Sequence, residues 1–189
     1  PPATWARIEI DPPLPPELAP QVGRRLKLLA GFATRPFGAA DGATGFLGDG
    51  LVQSAFDPLA HEPSEHAHVL ACASGGGAAE RWSEIIEVER RSQLALRELD
   101  AAWPGTSAAA GEVRWCDWSR DPWALGACSF PAPGELTRSG PLLRAEHAGI
   151  RFAGEHVSTA FPGTMEGALS SGLRVARELV KRDGLRRVS

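Results

Sequence analysis

Tyrosine is missing from this 189-residue chain, methionine occurs once (Met165), and cysteine occurs three times, as Cys72, Cys116 and Cys128. An odd set of thiols without C-x-x-C spacing argues against a disulfide framework or a zinc centre and fits a reducing compartment, here expected to be the cytoplasm. No apolar run approaches the ~18 residues that span a bilayer, so no membrane partner is expected. Pro1-Pro2-Ala3-Thr4 has neither the basic start nor the apolar stretch of a secretory signal peptide. Positive charge is not in excess either: at a net charge of -3, nothing draws the chain generally to nucleic acid. Also lacking is a convincing dinucleotide-binding glycine fingerprint. The nearest stretch, Ser74 to Ala79 (SGGGAA), follows an expected strand and precedes an expected helix. Its third glycine position, however, falls on Glu80, and no acidic residue is well placed after a second strand.

What is present describes a globular protein. Hydrophobic residues make up 43% and charged residues 23%, which places the chain outside the disordered class. Its length suits one average domain or two small ones. A chain that opens on Pro-Pro without an initiator Met is expected to be a processed subunit or a piece of a larger precursor. Alternation in Ala6 to Ile10 predicts a strand, stopped by the proline-rich DPPLPPELAP, and Pro16 to Val22 a short helix. Leu26 to Phe32 reads as a buried strand carrying one Lys. Phe37 to Gly50 reads as turns with a short strand, and Val52 to Phe56, His68 to Ala73, Gly111 to Trp118 and Gly126 to Phe130 as further strands. A single helix is predicted over Trp82 to Trp103, ended by Pro104-Gly105. A short strand, Ile150 to Ala153, enters Gly154. A final helix runs from Thr164 to Lys181 with Met165, Ala168, Leu169, Gly172, Val175, Ala176 and Leu179 on one face. The composition break at Pro131 to Gly134 is the expected boundary, between residues 1-133 and 134-189.

Arg151 to Val180 (RFAGEHVSTAFPGTMEGALSSGLRVARELV) carries the strongest signal. A glycine ending a strand, as Gly154 does, lets a ligand approach the backbone. Glu155 follows at the strand's C-terminal end, where open α/β sheets bind ligands. Pro162-Gly163 then leads into a helix whose free first-turn amides favour a negative or electron-rich group.

At these residues the chain resembles the flavin-containing amine oxidase family, which includes monoamine and polyamine oxidases, flavin-dependent histone lysine demethylases and L-amino-acid oxidases. The resemblance extends upstream in the family's order. It takes in the proline-rich start Pro1 to Pro15, GRRLKLLAGF (Gly23 to Phe32), VLACASGGGAAER (Val69 to Arg81) and WSRDPWALGACSFPAPG (Trp118 to Gly134). It implies an α+β fold. Residues 1-133 would be part of a substrate-binding domain with a mostly antiparallel sheet, and residues 134-189 the C-terminal strand and helix that complete a two-dinucleotide-binding-type FAD domain.

The resemblance also implies roles. Lys27 would hold a water near flavin N5 and is the expected catalytic residue. Gly154, Glu155, Thr164 and Met165 would bind FAD, Glu155 through a ribityl hydroxyl and Thr164 and Met165 at the pyrimidine edge. Trp118 and Trp123 would line the ring or the substrate funnel. The implied chemistry is hydride transfer from the amine-bearing carbon to N5, hydrolysis of the imine, and reoxidation of the flavin by O2 with release of H2O2. The substrate pocket would include Ala127, Cys128 and Thr164. Ala127 stands where monoamine oxidases place a flavin-linking Cys, so the FAD is expected to be non-covalent. Cys128 and Thr164 stand where two aromatics often sandwich the amine, giving a wider and less cation-attracting cage. An L-amino-acid oxidase and a scaffold without turnover remain alternatives. A second polypeptide carrying the N-terminal FAD-binding half is the expected partner, in a hetero-oligomer. HEPSEHAH (His61 to His68) reads as a solvated loop, and no metal is expected. His156 reads as a loop residue near the ribityl chain.

Overall fold

Strict alternation in RLKLLAGF sets the centre of a sheet. A computed structural model describes residues 1–37, 45–60 and 68–184. Its elements, in chain order, are α1 (Pro2–Trp5), β1 (Arg25–Phe32), β2 (Gly45–Leu47), β3 (Ser54–Phe56), β4 (His68–Gly75), α2 (Gly76–Glu84), α3 (Val88–Leu99), α4 (Thr106–Ala109), β5 (Ala110–Asp117), α5 (Glu135–Arg138), α6 (Gly140–Arg144), a 3-10 turn (Glu155–Val157) and α7 (Met165–Arg182). They divide into two compact units: residues 24–121, and residues 1–23 with 122–189.

In the first of these units the strands form one antiparallel sheet of order β2-β3-β4-β1-β5. This is the antiparallel sheet the sequence implies. Leu26, Leu28, Ala30 and Phe32 of β1 point to one face and are buried there with Trp82, Ala95, Leu96, Leu99 and Trp103. Burying each such large side chain stabilises the unit by ~1.5–3 kcal/mol. Trp82 satisfies its indole N–H on the Leu51 carbonyl at 2.8 Å, so its polar edge does not oppose burial. The opposite face of β1 is open: Lys27 is exposed and Leu29 is 41% exposed. β1 is therefore buried on one face only, not on both.

The expected helix over Trp82 to Trp103 is two helices, α2 and α3. The backbone turns extended at Ile85 (ψ 95°) and Glu87 (ψ 109°). Two successive β-branched residues, Ile85 and Ile86, pack poorly against a preceding helical turn, so the break falls there. The start of α2 also lies earlier than expected, at the end of β4.

The second unit has little sheet. Ala6 to Ile10 is a turn and irregular segment after α1, and Pro16 to Val22 is not helical. Among its described residues only two isolated bridges occur, Val22 with Ser129 and His147 with Ile150. Gly126 to Phe130 and Ile150 to Ala153 are thus not strands, because neither finds a ladder partner along its length. A small apolar cluster of Leu18, Leu143 and Val157, with Trp5, Leu14, Leu142 and Phe152 against it, fills the interior. Residues 1–23 contribute to this cluster, and the expected boundary near 133/134 lies inside this unit. Most of His61 to His68 and part of Phe37 to Gly50 lie outside the described residues. Among the described residues no helix is long and apolar enough to cross a membrane, and no group of metal-ligating side chains occurs.

Candidate functional site

Gly154 anchors the site. Its φ of 144° and ψ of 171° lie in a region essentially open to glycine alone. A Cβ there would also stand 2.7 Å from the His156 ring. Gly154 is pinned by α7, since its amide donates to Ser171 Oγ at 2.9 Å and its carbonyl lies 2.8 Å from the same hydroxyl. Ser171 and Gly167 are the buried residues of α7. Small side chains there let the helix lie close, and a Cβ on Gly167 would be 2.0 Å from the Phe161 carbonyl oxygen.

The unusual backbone at Gly154 directs the next residue. The Glu155 carboxylate accepts from the Ser129 amide at 2.7 Å, the Ser129 hydroxyl at 2.6 Å and the Gly163 amide at 2.5 Å. Burial on its own would raise this carboxyl, but these donors outweigh it and hold Glu155 below the usual carboxylate range. His156 is likewise pushed away from protonation. Burial lowers it, opposed by the neighbouring Glu155 charge, and its Nε2 is buried without a hydrogen-bond partner. A histidine held neutral beside a charged carboxylate serves as a packing group against Gly154.

Three donors on one carboxylate draw two further segments together. Ser129 follows Cys128, whose carbonyl accepts from the Gly23 amide at 2.7 Å, while the Ala127 amide donates to Gly23 at 2.9 Å. Gly163 precedes Thr164, the N-cap of α7. The Thr164 hydroxyl accepts from the Gly167 amide at 3.1 Å and lies 2.8 Å from the Phe161 carbonyl. Thr164 thus satisfies one of the helix's free amides, while those of Met165 and Glu166 have no partner within the helix. Met165 is 91% exposed, and nothing lies within 4 Å of a Cβ placed on Gly163. The helix start is open to an incoming group.

The expected site residues therefore fall into two sets. Ala127, Cys128, Gly154, Glu155, Thr164 and Met165 lie in one unit, and Glu155 ties Cys128 and Thr164 together through their chain neighbours. Trp123 is in the same unit, 78% exposed, with the Arg7 guanidinium 5.8 Å from its ring centroid. Lys27 and Trp118 are in the other unit. Lys27 stands on the open sheet face opposite Ala73 and Cys116, and Trp118 directly follows β5 and is 47% exposed. Ser129, Gly163 and Ser171 were not among the expected residues. A lone serine carries no pattern, and only the fold gives it a carboxylate to hold.

Residues 1–180 match the family model for flavin containing amine oxidoreductases. The chain belongs to this family. Among curated proteins, it is 29% identical over 188 residues to the "Probable flavin-containing monoamine oxidase A" of Dictyostelium discoideum, covering 95% of the chain and 40% of that protein. It is 30% identical to an L-amino acid dehydrogenase of Synechocystis over 191 residues, covering 95% and 39%. Among solved structures, wild-type putrescine oxidase bound to putrescine superposes with a TM-score of 0.83 at 25% identity, over 96% of this chain and 41% of that one. The chain thus spans about two-fifths of the length of these relatives. Amine oxidoreductases of this family carry a flavin, and the open end of α7 fits one. Two unengaged first-turn amides and a clear approach over Gly163 suit an electron-rich ring edge. The Glu155 carboxylate, with three of about four acceptor positions used, has one left for a hydroxyl.

Proposed function

We propose that this chain is the C-terminal part of an FAD-dependent oxidase that converts a primary or secondary amine to an imine, which water then hydrolyses. The observation that carries this reading is the open start of α7, capped by Thr164 and tied through Glu155 to Ser129 next to Cys128, in a chain that matches the family over residues 1–180. When bound, the flavin supplies the hydride acceptor and, on reoxidation by O2, releases hydrogen peroxide. The chain's own residues bind and orient. The amides of Met165 and Glu166 stabilise negative charge that develops at the helix end. Cys128 and Thr164 flank the amine with small side chains, which weakens attraction for a cation relative to an aromatic pair. Lys27 holds a water on the open sheet face, a role that rests on the resemblance. Ala127 offers no thiol for a flavin link, which supports non-covalent FAD.

We propose that the remainder of the FAD site is built by residues other than these 189. No glycine fingerprint is present to hold the ADP half, and the chain spans two-fifths of its relatives. We assign that half to a second polypeptide in a hetero-oligomer. The outer stripe of α7 supports this: Met165, Leu169, Leu173 and Val180 are 91%, 70%, 48% and 42% exposed, an apolar face suited to cover by another surface. Three free thiols favour a reducing compartment, the cytoplasm.

Similarity to the Synechocystis L-amino acid dehydrogenase favours a second reading, oxidation of an L-amino acid to a 2-oxo acid and ammonia. A screen of amines against amino acids by anaerobic bleaching of the flavin in the complete flavin-loaded protein separates the two. Bleaching by amines alone supports the first reading, and bleaching by amino acids alone replaces it with the second.

A further inference from the structure

We propose that Ser129 is a positioning residue for the amine-oxidising site, one that sets the separation of Cys128 and Thr164 through the Glu155 carboxylate. The proposal rests on the functional reading above for what those two positions face. The geometry stands without it. Ser129 gives Glu155 both donors it owns, the amide to Oε1 at 2.7 Å and the hydroxyl to Oε2 at 2.6 Å. Oε2 also takes the Gly163 amide at 2.5 Å. The carboxylate is therefore a bridge two bonds wide on the Cys128 side and one bond wide on the Thr164 side.

The two ends differ in their other supports. Behind Ser129, the chain is already held by Gly23 through bonds of 2.7 and 2.9 Å, and by the Val22–Ser129 bridge. The Cys128 wall is thus fixed independently of Glu155. Ahead of Gly163, φ is +74° and nothing lies within 4 Å of a built Cβ, so Gly163 itself is not packed, while the rest of the turn is held by the Thr164 hydroxyl on the Phe161 carbonyl at 2.8 Å and the Phe161 amide on Ser158 Oγ at 3.2 Å. Position passes from the fixed wall to the Gly163 amide, which donates to the Glu155 carboxylate. Ser129 reads as the fixed end, Glu155 as the arm, and the Gly163–Thr164 turn as what is held. Hydrogen bonds to an ionised carboxylate are roughly twice as strong as neutral ones, which suits a carboxylate to this task.

Removing the hydroxyl alone leaves the Ser129 amide bond but frees Oε2 to rotate, so Gly163 loses its fixed partner. The test is a graded series, Ser129→Thr, Ser129→Cys and Ser129→Ala, in the complete flavin-loaded protein, read by amide hydrogen exchange at Gly163 to Gly167 and by steady-state kinetics with the best amine. Ser129→Ala is expected to speed exchange at Gly163 about tenfold or more. It should raise KM for the amine by a similar factor, with a smaller change in kcat. Ser129→Cys should fall between, and Ser129→Thr, which keeps both donors, should restore the wild-type values. Wild-type exchange at Gly163 in Ser129→Ala would overturn the proposal, as would a Ser129→Thr variant no better than Ser129→Ala. If Ser129→Ala does not fold, the Ser129→Thr and Ser129→Cys pair decides the question by the same two readouts. If instead the wild-type protein oxidises no amine, the functional reading fails, while the exchange series still tests the bridge.

Discussion

Ser171 holds both backbone polar groups of Gly154, accepting from its amide at 2.9 Å and donating to its carbonyl at 2.8 Å. A buried polar side chain on α7 thereby fixes a backbone conformation closed to other residues. Gly154→Ala adds a strained φ/ψ pair and a contact with the His156 ring. We expect a loss of ~1–3 kcal/mol in stability, measured by chemical denaturation, together with weaker flavin retention. A fully stable Gly154→Ala protein would show that this conformation is not required.

Gly167 sets two effects against each other. Alanine is favoured over glycine within a helix by ~1 kcal/mol. Here the added methyl would lie 2.0 Å from the Phe161 carbonyl oxygen, a backbone atom that cannot move alone. Overpacking of this kind costs ~1–3 kcal/mol, so the clash wins and Gly167→Ala should lower the denaturation midpoint. A raised midpoint would contradict the close docking of α7.

The local composition of β1, β3, β4, β5 and α7 made them legible, β1 by its alternation and α7 by its helical stripe. Elements that depend on a distant partner were not legible. Ile150 to Ala153 has the residues of a strand, but only Ile150 forms a bridge, and the segment is held instead by side chains. Arg151 donates to Glu178 at 2.5 Å, and Arg174 reaches the Phe152 carbonyl at 3.4 Å. The facing of α7 was only half visible. Its apolar stripe is plain in the sequence, yet the face docked within the unit holds Gly167 and Ser171, and the stripe is largely exposed. Of the candidate site, Gly154, Glu155 and Thr164 could be proposed from the family pattern. Ser129 could not, since its importance lies in a contact across 26 positions of sequence.

Acid should loosen the Glu155 bridge. Burial would raise this carboxyl, but the Ser129 and Gly163 donors bring it below its ordinary value. As pH falls, the unfolded chain therefore takes up the proton first. The bridge contributes fully above the ordinary glutamate value of about 4.3 and loses its contribution as pH falls through the lower folded value. Glu155→Gln removes a titrating acceptor and places amide hydrogens against donors. Its stability should be lower near neutral pH and should fall less on acidification through that window. Denaturation midpoints of both proteins across the window test this, and parallel curves would contradict it.

Lys27 stands on an open sheet face, so its loss should not disturb the core beneath β1. Lys27→Met is expected to change stability by less than about 0.5 kcal/mol. Turnover should fall about 100-fold if Lys27 positions the reacting water. Arg should not restore it, because its planar fork differs from a compact ammonium. Normal turnover in Lys27→Met would remove Lys27 from the mechanism.

The most direct test of the account is the absorbance of the complete flavin-loaded protein mixed with an amine without oxygen. The account predicts bleaching of the oxidised flavin band by an amine, then recovery of the band with release of peroxide when oxygen is admitted. A protein that binds no flavin, or one whose flavin no amine or amino acid bleaches, would contradict it.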